Sequence, residues 1–192
     1  MKGYDVIVIG GGMVGLAFAL ELSQKNNCSI AIVEPGNSNP KIEKNFHSRV
    51  SAITPASKSY LVSLNVWDDI SRKRAFIATK IWDQNSHGHL NFHAKDENLE
   101  QLGFIVENDL IQSALFGAID QSKIDFISAK LSDLLKTTNG YELLLSNKDK
   151  LTCQLLIGAD GSLSKVRGLS EIETSENDYD QKAIIANIAS EK

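Results

Sequence analysis

Tyr4-Asp5-Val6-Ile7-Val8-Ile9-Gly10-Gly11-Gly12-Met13-Val14-Gly15 decides the fold of this chain. Val6 to Ile9 is a short apolar, β-branched run, the pattern of a parallel strand buried on both faces. Gly10, Gly12 and Gly15 then spell G-x-G-x-x-G at the turn into a helix that the spacing predicts from Met13 to Gln24. Gly10 permits the tight turn, Gly12 leaves bare backbone for a pyrophosphate, and Gly15 lets helix and strand pack closely. The free N–H groups at the helix start, at Met13 and Val14, together with the helix dipole, favour an anion there. Ser29 to Val33 reads as the second strand, with Glu34 at its end. That carboxylate lies about 20 residues beyond the glycines, where an acid accepts hydrogen bonds from an adenosine ribose. Strand, glycine turn, helix and acid together predict a Rossmann-like β-α-β unit that binds a dinucleotide.

Outward from that unit the pattern changes. Pro35 leads into a polar loop, Gly36 to Asn45, and then to Arg49-Val50-Ser51-Ala52-Ile53-Thr54-Pro55. Thr54 before Pro55 is a helix start, an N-cap followed by proline at the first helical position. Strands are expected over Phe76 to Asp83, His89 to His93 and Gly103 to Val106. A helix capped by Asn108 or Asp109 follows, and then a strand over Ile124 to Ile127. Lys130 to Thr138 and Tyr141 to Ser146 flank Asn139-Gly140, a strong hairpin signal. With Leu151 to Ile157 they predict a three-stranded antiparallel meander, which ends in Gly158-Ala159-Asp160-Gly161 and a short helix around Lys165 to Leu169. Glu171 to Asp180 is acidic and reads as a solvated loop, and Ala183 to Ala189 returns to strand character. An NAD dehydrogenase would more usually continue with further β-α crossovers.

The 192 residues, 42% hydrophobic, suit a globular α/β fold with a real core. A net charge of −4 gives no footprint for nucleic acid or anionic lipid. Cys28 and Cys153 are far apart, without C-x-x-C, and read as small buried hydrophobes at strand positions in a reducing, cytoplasmic setting. The glycine-broken N-terminal run is a poor signal peptide, and no segment reaches the ~20 uninterrupted apolar residues of a membrane span. His87, His89 and His93 cluster, but no carboxylate or thiolate shares their strand face, so a polar sheet face is the better reading than a metal site. G-x-S-x-G, H-E-x-x-H and Walker A motifs are absent. Trp67 and Trp82 read as core or edge packing.

Three segments taken together resemble a known family: the N-terminal fingerprint, Arg49-Val50-Ser51-Ala52-Ile53, and Gly158-Ala159-Asp160-Gly161-Ser162-Leu163-Ser164-Lys165-Val166-Arg167. The chain resembles the FAD-binding part of the class A flavin monooxygenases, the para-hydroxybenzoate hydroxylase superfamily. Leu102 to Asn108 and Ala183 to Ile188 make it most similar to the ring hydroxylases of ubiquinone biosynthesis. The resemblance implies FAD as cofactor, held at Gly10, Gly12, Met13, Val14 and Gly15, with Glu34 at its ribose. It places Arg49 near the flavin's phosphate or ribityl chain, where a planar guanidinium suits bidentate contact. It gives Asp160 a part in the FAD site and in the approach of NADPH, although an Asp capping the next helix also accounts for that residue. It further implies NAD(P)H as reductant and a polyprenylated phenol as the substrate hydroxylated. Catalytic residues are not assigned, because the flavin carries the hard chemistry. The ring position, the choice of NADH or NADPH and the oligomeric state stay open, as does association with a membrane surface or a ubiquinone-biosynthesis complex.

Family members are longer, and their second half holds a Gly-Asp motif that this sequence lacks. The expectation is therefore an FAD-binding domain over residues 1–192, in which residues 70–100 begin a substrate-side sheet and the C-terminal substrate domain is absent. Such a chain is not expected to hydroxylate on its own. The rival reading is a truncated, non-catalytic FAD- or ADP-binding module or assembly partner.

Overall fold

The structure, a computed structural model, describes residues 2–84 and 86–190. In chain order its elements are β1 (Lys2–Ile9), α1 (Met13–Lys25), β2 (Ile30–Val33), β3 (Val50–Ile53), α2 (Pro55–Ser63), β4 (Lys73–Phe76), β5 (Ala78–Trp82) and β6 (His89–His93). They continue with β7 (Gly103–Glu107), α3 (Asn108–Ala118), β8 (Ile124–Ile127), β9 (Leu131–Thr137), β10 (Gly140–Leu145), β11 (Lys150–Gly158) and α4 (Lys165–Leu169). Two compact units divide the chain. The first runs to Pro40 and resumes from Leu115 to Ile184; the second is Lys41–Ala114 with the chain from Ile185.

The first unit is built on a six-stranded sheet in the order β8-β2-β1-β11-β10-β9. β8, β2, β1 and β11 pair in parallel, and β10 and β9 extend the same sheet antiparallel. The predicted meander is thus continuous with the nucleotide unit. β1 explains why its sequence is apolar without alternation. Ile7 and Ile9 join the cluster of Val33, Leu131, Leu143, Leu151 and Val166 on one face. Val8 turns the other way, toward α1, and both Ile7 and Val8 are fully buried. That is the signature of a central parallel strand covered on both sides. α1 buries Gly15, Leu16, Ala17, Ala19 and Leu20, so its covered face is narrower than its apolar composition suggests.

In the second unit, β7 pairs with β3 on one side and β4 on the other, and β5 and β6 form a separate hairpin. Thr54 caps α2 by accepting from the Ser57 N–H at 3.2 Å, with Pro55 at the first position as expected. Leu61, Leu64, Val66, Trp67, Ile70 and Val106 make its core, and the Trp67 ring meets Phe104 edge-on at 5.0 Å.

The structure corrects four expectations. The strand expected over Phe76 to Asp83 is two strands. β4 pairs with β7 and β5 with β6, and between them the Ile77 carbonyl accepts from Ala94 N–H. One apolar run therefore serves two partners and must break where it changes sheet. Ala183 to Ala189 forms no strand; apolar, β-branched composition makes a strand only beside a neighbour that completes its ladder. Cys28 precedes β2 and is only part-buried, whereas Cys153 is buried in β11. Trp67 is core, but Trp82 is 73% exposed at the end of β5.

Candidate functional site

The carboxyl ends of β1, β2 and β11 meet at one point in the first unit. Gly10 N–H donates to the Val33 carbonyl at 2.9 Å, and Ala159 N–H donates to the Ile9 carbonyl at 2.8 Å. The chain leaves β1 through α1 to reach β2 on one side, while β11 occupies the other. In an open α/β sheet that reversal leaves a crevice outside the strand ends, the place where such folds take ligands. Here it is a cleft of about 680 Å³, with Gly10, Gly12, Glu34, Asp160 and Lys165 in its lining.

The glycines divide their work as their spacing predicts. Gly10 has φ +110°, and a Cβ there would lie 2.3 Å from the Ala159 carbonyl oxygen. A Cβ at Gly15 would lie 1.9 Å from the Gly10 carbonyl oxygen. Both therefore exclude any side chain for internal reasons. Gly12 differs, because a Cβ there would meet nothing within 4 Å. Its bare face looks into open space beside the start of α1. That helix has Gly12 as N-cap, no side-chain cap and no acid in its first turn. The first internal bond runs from Leu16 N–H to the Gly12 carbonyl at 2.9 Å. Met13 and Val14, with Val14 73% exposed, thus present N–H groups at a helix N-terminus, which fits a pyrophosphate.

Glu34 follows β2 and lines the same cleft. Its Oε2 accepts from Gly11 N–H at 2.9 Å and its Oε1 from Gly36 N–H at 2.7 Å. Asp160 lies across the cleft, and its carboxylate organises the turn into α4. Ser164 Oγ donates to Oδ1 at 2.5 Å, and Lys165 N–H and Val166 N–H donate to Oδ2 at 2.6 and 3.2 Å. Burial pushes this carboxyl upward, but the hydrogen bonds from Ser164 and the backbone outweigh it and hold Asp160 below the usual range. Both oxygens are committed to the helix start, so the capping role is realised in full. Arg49 is carried by the second unit, immediately before β3. Its carbonyl accepts from Asn108 N–H at 3.0 Å, its own N–H donates to His47 Nδ1 at 3.3 Å, and its side chain is exposed.

Gly10, Gly12, Glu34 and Asp160 thus line one cleft of the first unit, while Met13, Val14 and Gly15 follow Gly12 in the first turn of α1 and are not in its lining. Sequence reasoning missed Gly11, which lies outside the fingerprint spacing, and the stretch Ala129 to Ser132, which lines the cleft from the start of β9. The latter is invisible in sequence because only the pairing of β8 with β2 brings it there. His89 and His93 lie on the strand β6, and among the described residues no group of three or more potential metal ligands forms.

Searches with family models give no match. Ubiquinone biosynthesis monooxygenase COQ6 of Xenopus tropicalis is 34% identical over 203 residues, which cover 96% of this chain and 43% of that protein. The 3-demethoxyubiquinol 3-hydroxylase of Escherichia coli K12 is 31% identical, over 97% of this chain and 49% of its own length. The chain therefore spans less than half the length of these curated relatives. Among solved structures, a variant of P. aeruginosa PqsL superposes with a TM-score of 0.72 at 18% identity, over 93% of this chain and 48% of that one. The flavin-dependent monooxygenase PieE, solved in complex with FAD and substrate, gives a TM-score of 0.64 at 15% identity, over 88% of this chain and 32% of that one. The chain is similar in sequence to the N-terminal portion of these ubiquinone-biosynthesis hydroxylases, and it shares its fold with FAD-dependent monooxygenases.

Proposed function

We propose that this chain holds the ADP half of FAD in the Gly10–Gly12 cleft and serves an NAD(P)H-dependent hydroxylase acting on a polyprenylated phenol in ubiquinone formation. The observation that carries the reading is the open face of Gly12 beside an uncapped helix start, with a carboxylate at the end of the next strand. The pyrophosphate lies against the Gly12 backbone and accepts from the Met13 and Val14 N–H groups. Glu34 has lone pairs left after serving Gly11 and Gly36, and these accept from a ribose hydroxyl. Bound flavin supplies the redox chemistry; the residues of this chain bind and orient it. Arg49, on the strength of its motif, is proposed to contact the flavin's phosphate or ribityl chain, and Asp160 to shape the site through the α4 turn. The strands between residues 70 and 100 are read as the start of a substrate-side sheet. Among the described residues no helix is long and apolar enough to cross a membrane.

The relatives' names support the substrate class, and the geometry of the cleft supports a dinucleotide. The test is FAD titration of the protein and of Gly12→Val. A Cβ there meets nothing within 4 Å, so the variant is expected to fold with its side chain on the open face, and its affinity falls at least ten-fold, about 1.4 kcal/mol. Unchanged affinity in a folded variant would refute the assignment. A carboxylate at Glu34 also repels a ribose 2′-phosphate, so ADP competes with FAD more strongly than 2′-phospho-ADP does; equal competition would count against the ribose position.

A further inference from the structure

Gly11 is the one residue of the triple glycine that the dinucleotide fingerprint does not require. A Cβ on it would lie 2.2 Å from Ser38 Oγ and 2.9 Å from both Cβ and Cγ of Glu34. The side chain of Glu34 therefore lies directly over the Gly11 backbone, and only glycine leaves room for it. Its Oε2 accepts from the Gly11 N–H at 2.9 Å, across 23 residues of sequence. The second oxygen is held by Gly36 N–H at 2.7 Å. Two backbone donors from two loops thus converge on one carboxylate.

We infer that Glu34 is a positioning residue for the phosphate loop, a latch that fixes Gly11 and with it the turn that exposes Gly12, in addition to facing the ribose. This rests on the reading of the cleft as a nucleotide site. Two consequences follow from the geometry. The Gly11 N–H is spent on Glu34, so a pyrophosphate must rely on the donors beyond it, at Gly12, Met13 and Val14. Glu34 also puts a negative charge beside an anion site. If it served the ribose alone, removing it would leave pyrophosphate binding unchanged or strengthen it by relieving repulsion. If it latches the loop, removing it loosens the donors and weakens pyrophosphate binding despite the relief. The sign of the effect separates the two roles.

The experiment compares wild type and Glu34→Ala for binding of ADP and of 2′,3′-dideoxy-ADP, which has the same diphosphate and no ribose hydroxyl to offer. The latch predicts that the variant loses at least five-fold in affinity for both. Loss for ADP alone, with dideoxy-ADP bound as well or better, overturns the latch and leaves the nucleotide site standing. Failure of wild type to bind either nucleotide overturns the site and the latch with it. A measurement that needs no variant runs alongside. In the ligand-free protein the Gly11 amide proton is held by Glu34 and exchanges slowly with solvent, whereas exchange at the rate of an unprotected loop amide overturns the latch. Gly11→Ala gives the second variant, since it displaces the carboxylate while keeping its charge. It weakens both nucleotides as Glu34→Ala does, and undiminished dideoxy-ADP affinity in folded Gly11→Ala counts against the latch.

Discussion

Gly12 and Gly15 are three residues apart, and their substitutions should fail in different ways. At Gly12 an added Cβ meets nothing within 4 Å, so Gly12→Val loses FAD with a much smaller change in thermal midpoint than a substitution at Gly15. At Gly15 even a methyl group collides with the Gly10 carbonyl, so Gly15→Ala destabilises the fold, by about 1–3 kcal/mol as overpacking does. Thermal unfolding of both variants checks the contrast, and equal destabilisation would mean that the Gly12 face is not open. Cys153 gives another expectation. Burial pushes its thiol up to about 11, against a smaller opposing hydrogen bond from the backbone of Ile7. A thiol with so little thiolate at neutral pH reacts slowly, so a thiol reagent labels part-exposed Cys28 first, and rapid labelling of Cys153 in folded protein would contradict its burial. The fingerprint glycines were legible because their constraints are local to one turn. Gly11 was not, because what forbids a side chain there is Glu34 and Ser38, more than twenty residues away. Asp160 was legible as a choice between two roles, and only its three donors show that the cap is made.

The junction between β7 and α3 anchors the segment that carries Arg49. Glu107 ends β7 and is buried, with Arg72 bidentate on its carboxylate at 2.8 and 2.9 Å and the His47 N–H on Oε1 at 2.7 Å. The next residue, Asn108, donates its N–H to the Arg49 carbonyl and accepts from Ser51 Oγ. The Arg72 guanidinium, with the His47 N–H, holds the Glu107 carboxyl below its ordinary range against the opposing effect of burial. Its contribution to stability is therefore complete above the unfolded carboxyl range and is lost as pH falls through the lower folded value. Arg72→Ala leaves the Glu107 carboxylate without its counter-ion and lowers the stability of the fold. Chemical denaturation at neutral pH measures that loss, and unchanged stability would mean the pair is solvent-relaxed. Denaturation repeated on Glu107→Gln should show less acid sensitivity than wild type. Helix signals around Thr54 and Asn108 were readable because a cap is a local bond. The break at Ile77 and the absence of a strand over Ala183 to Ala189 were not, because strand formation depends on a partner that no short window of sequence contains.

The first unit joins a nucleotide-binding β-α-β unit and an antiparallel meander into a single sheet, β8-β2-β1-β11-β10-β9. That continuity brings Ala159 and Asp160 against Gly10, so the cleft is assembled from segments some 150 residues apart in the chain. The order of motifs made the fold class readable, and the resemblance carried the cofactor. The pairing that closes the cleft came only with the structure. The central claim is that a flavin dinucleotide lies with its pyrophosphate on the start of α1. Its most direct test is a backbone-amide NMR titration of the protein with FAD. The expected result is that the amides of Gly12, Met13 and Val14 shift first and furthest, with saturation at one equivalent. Shifts confined to the opposite end of the sheet, around Lys2 and Asp125, or no saturable shift at the α1 start, would contradict the account.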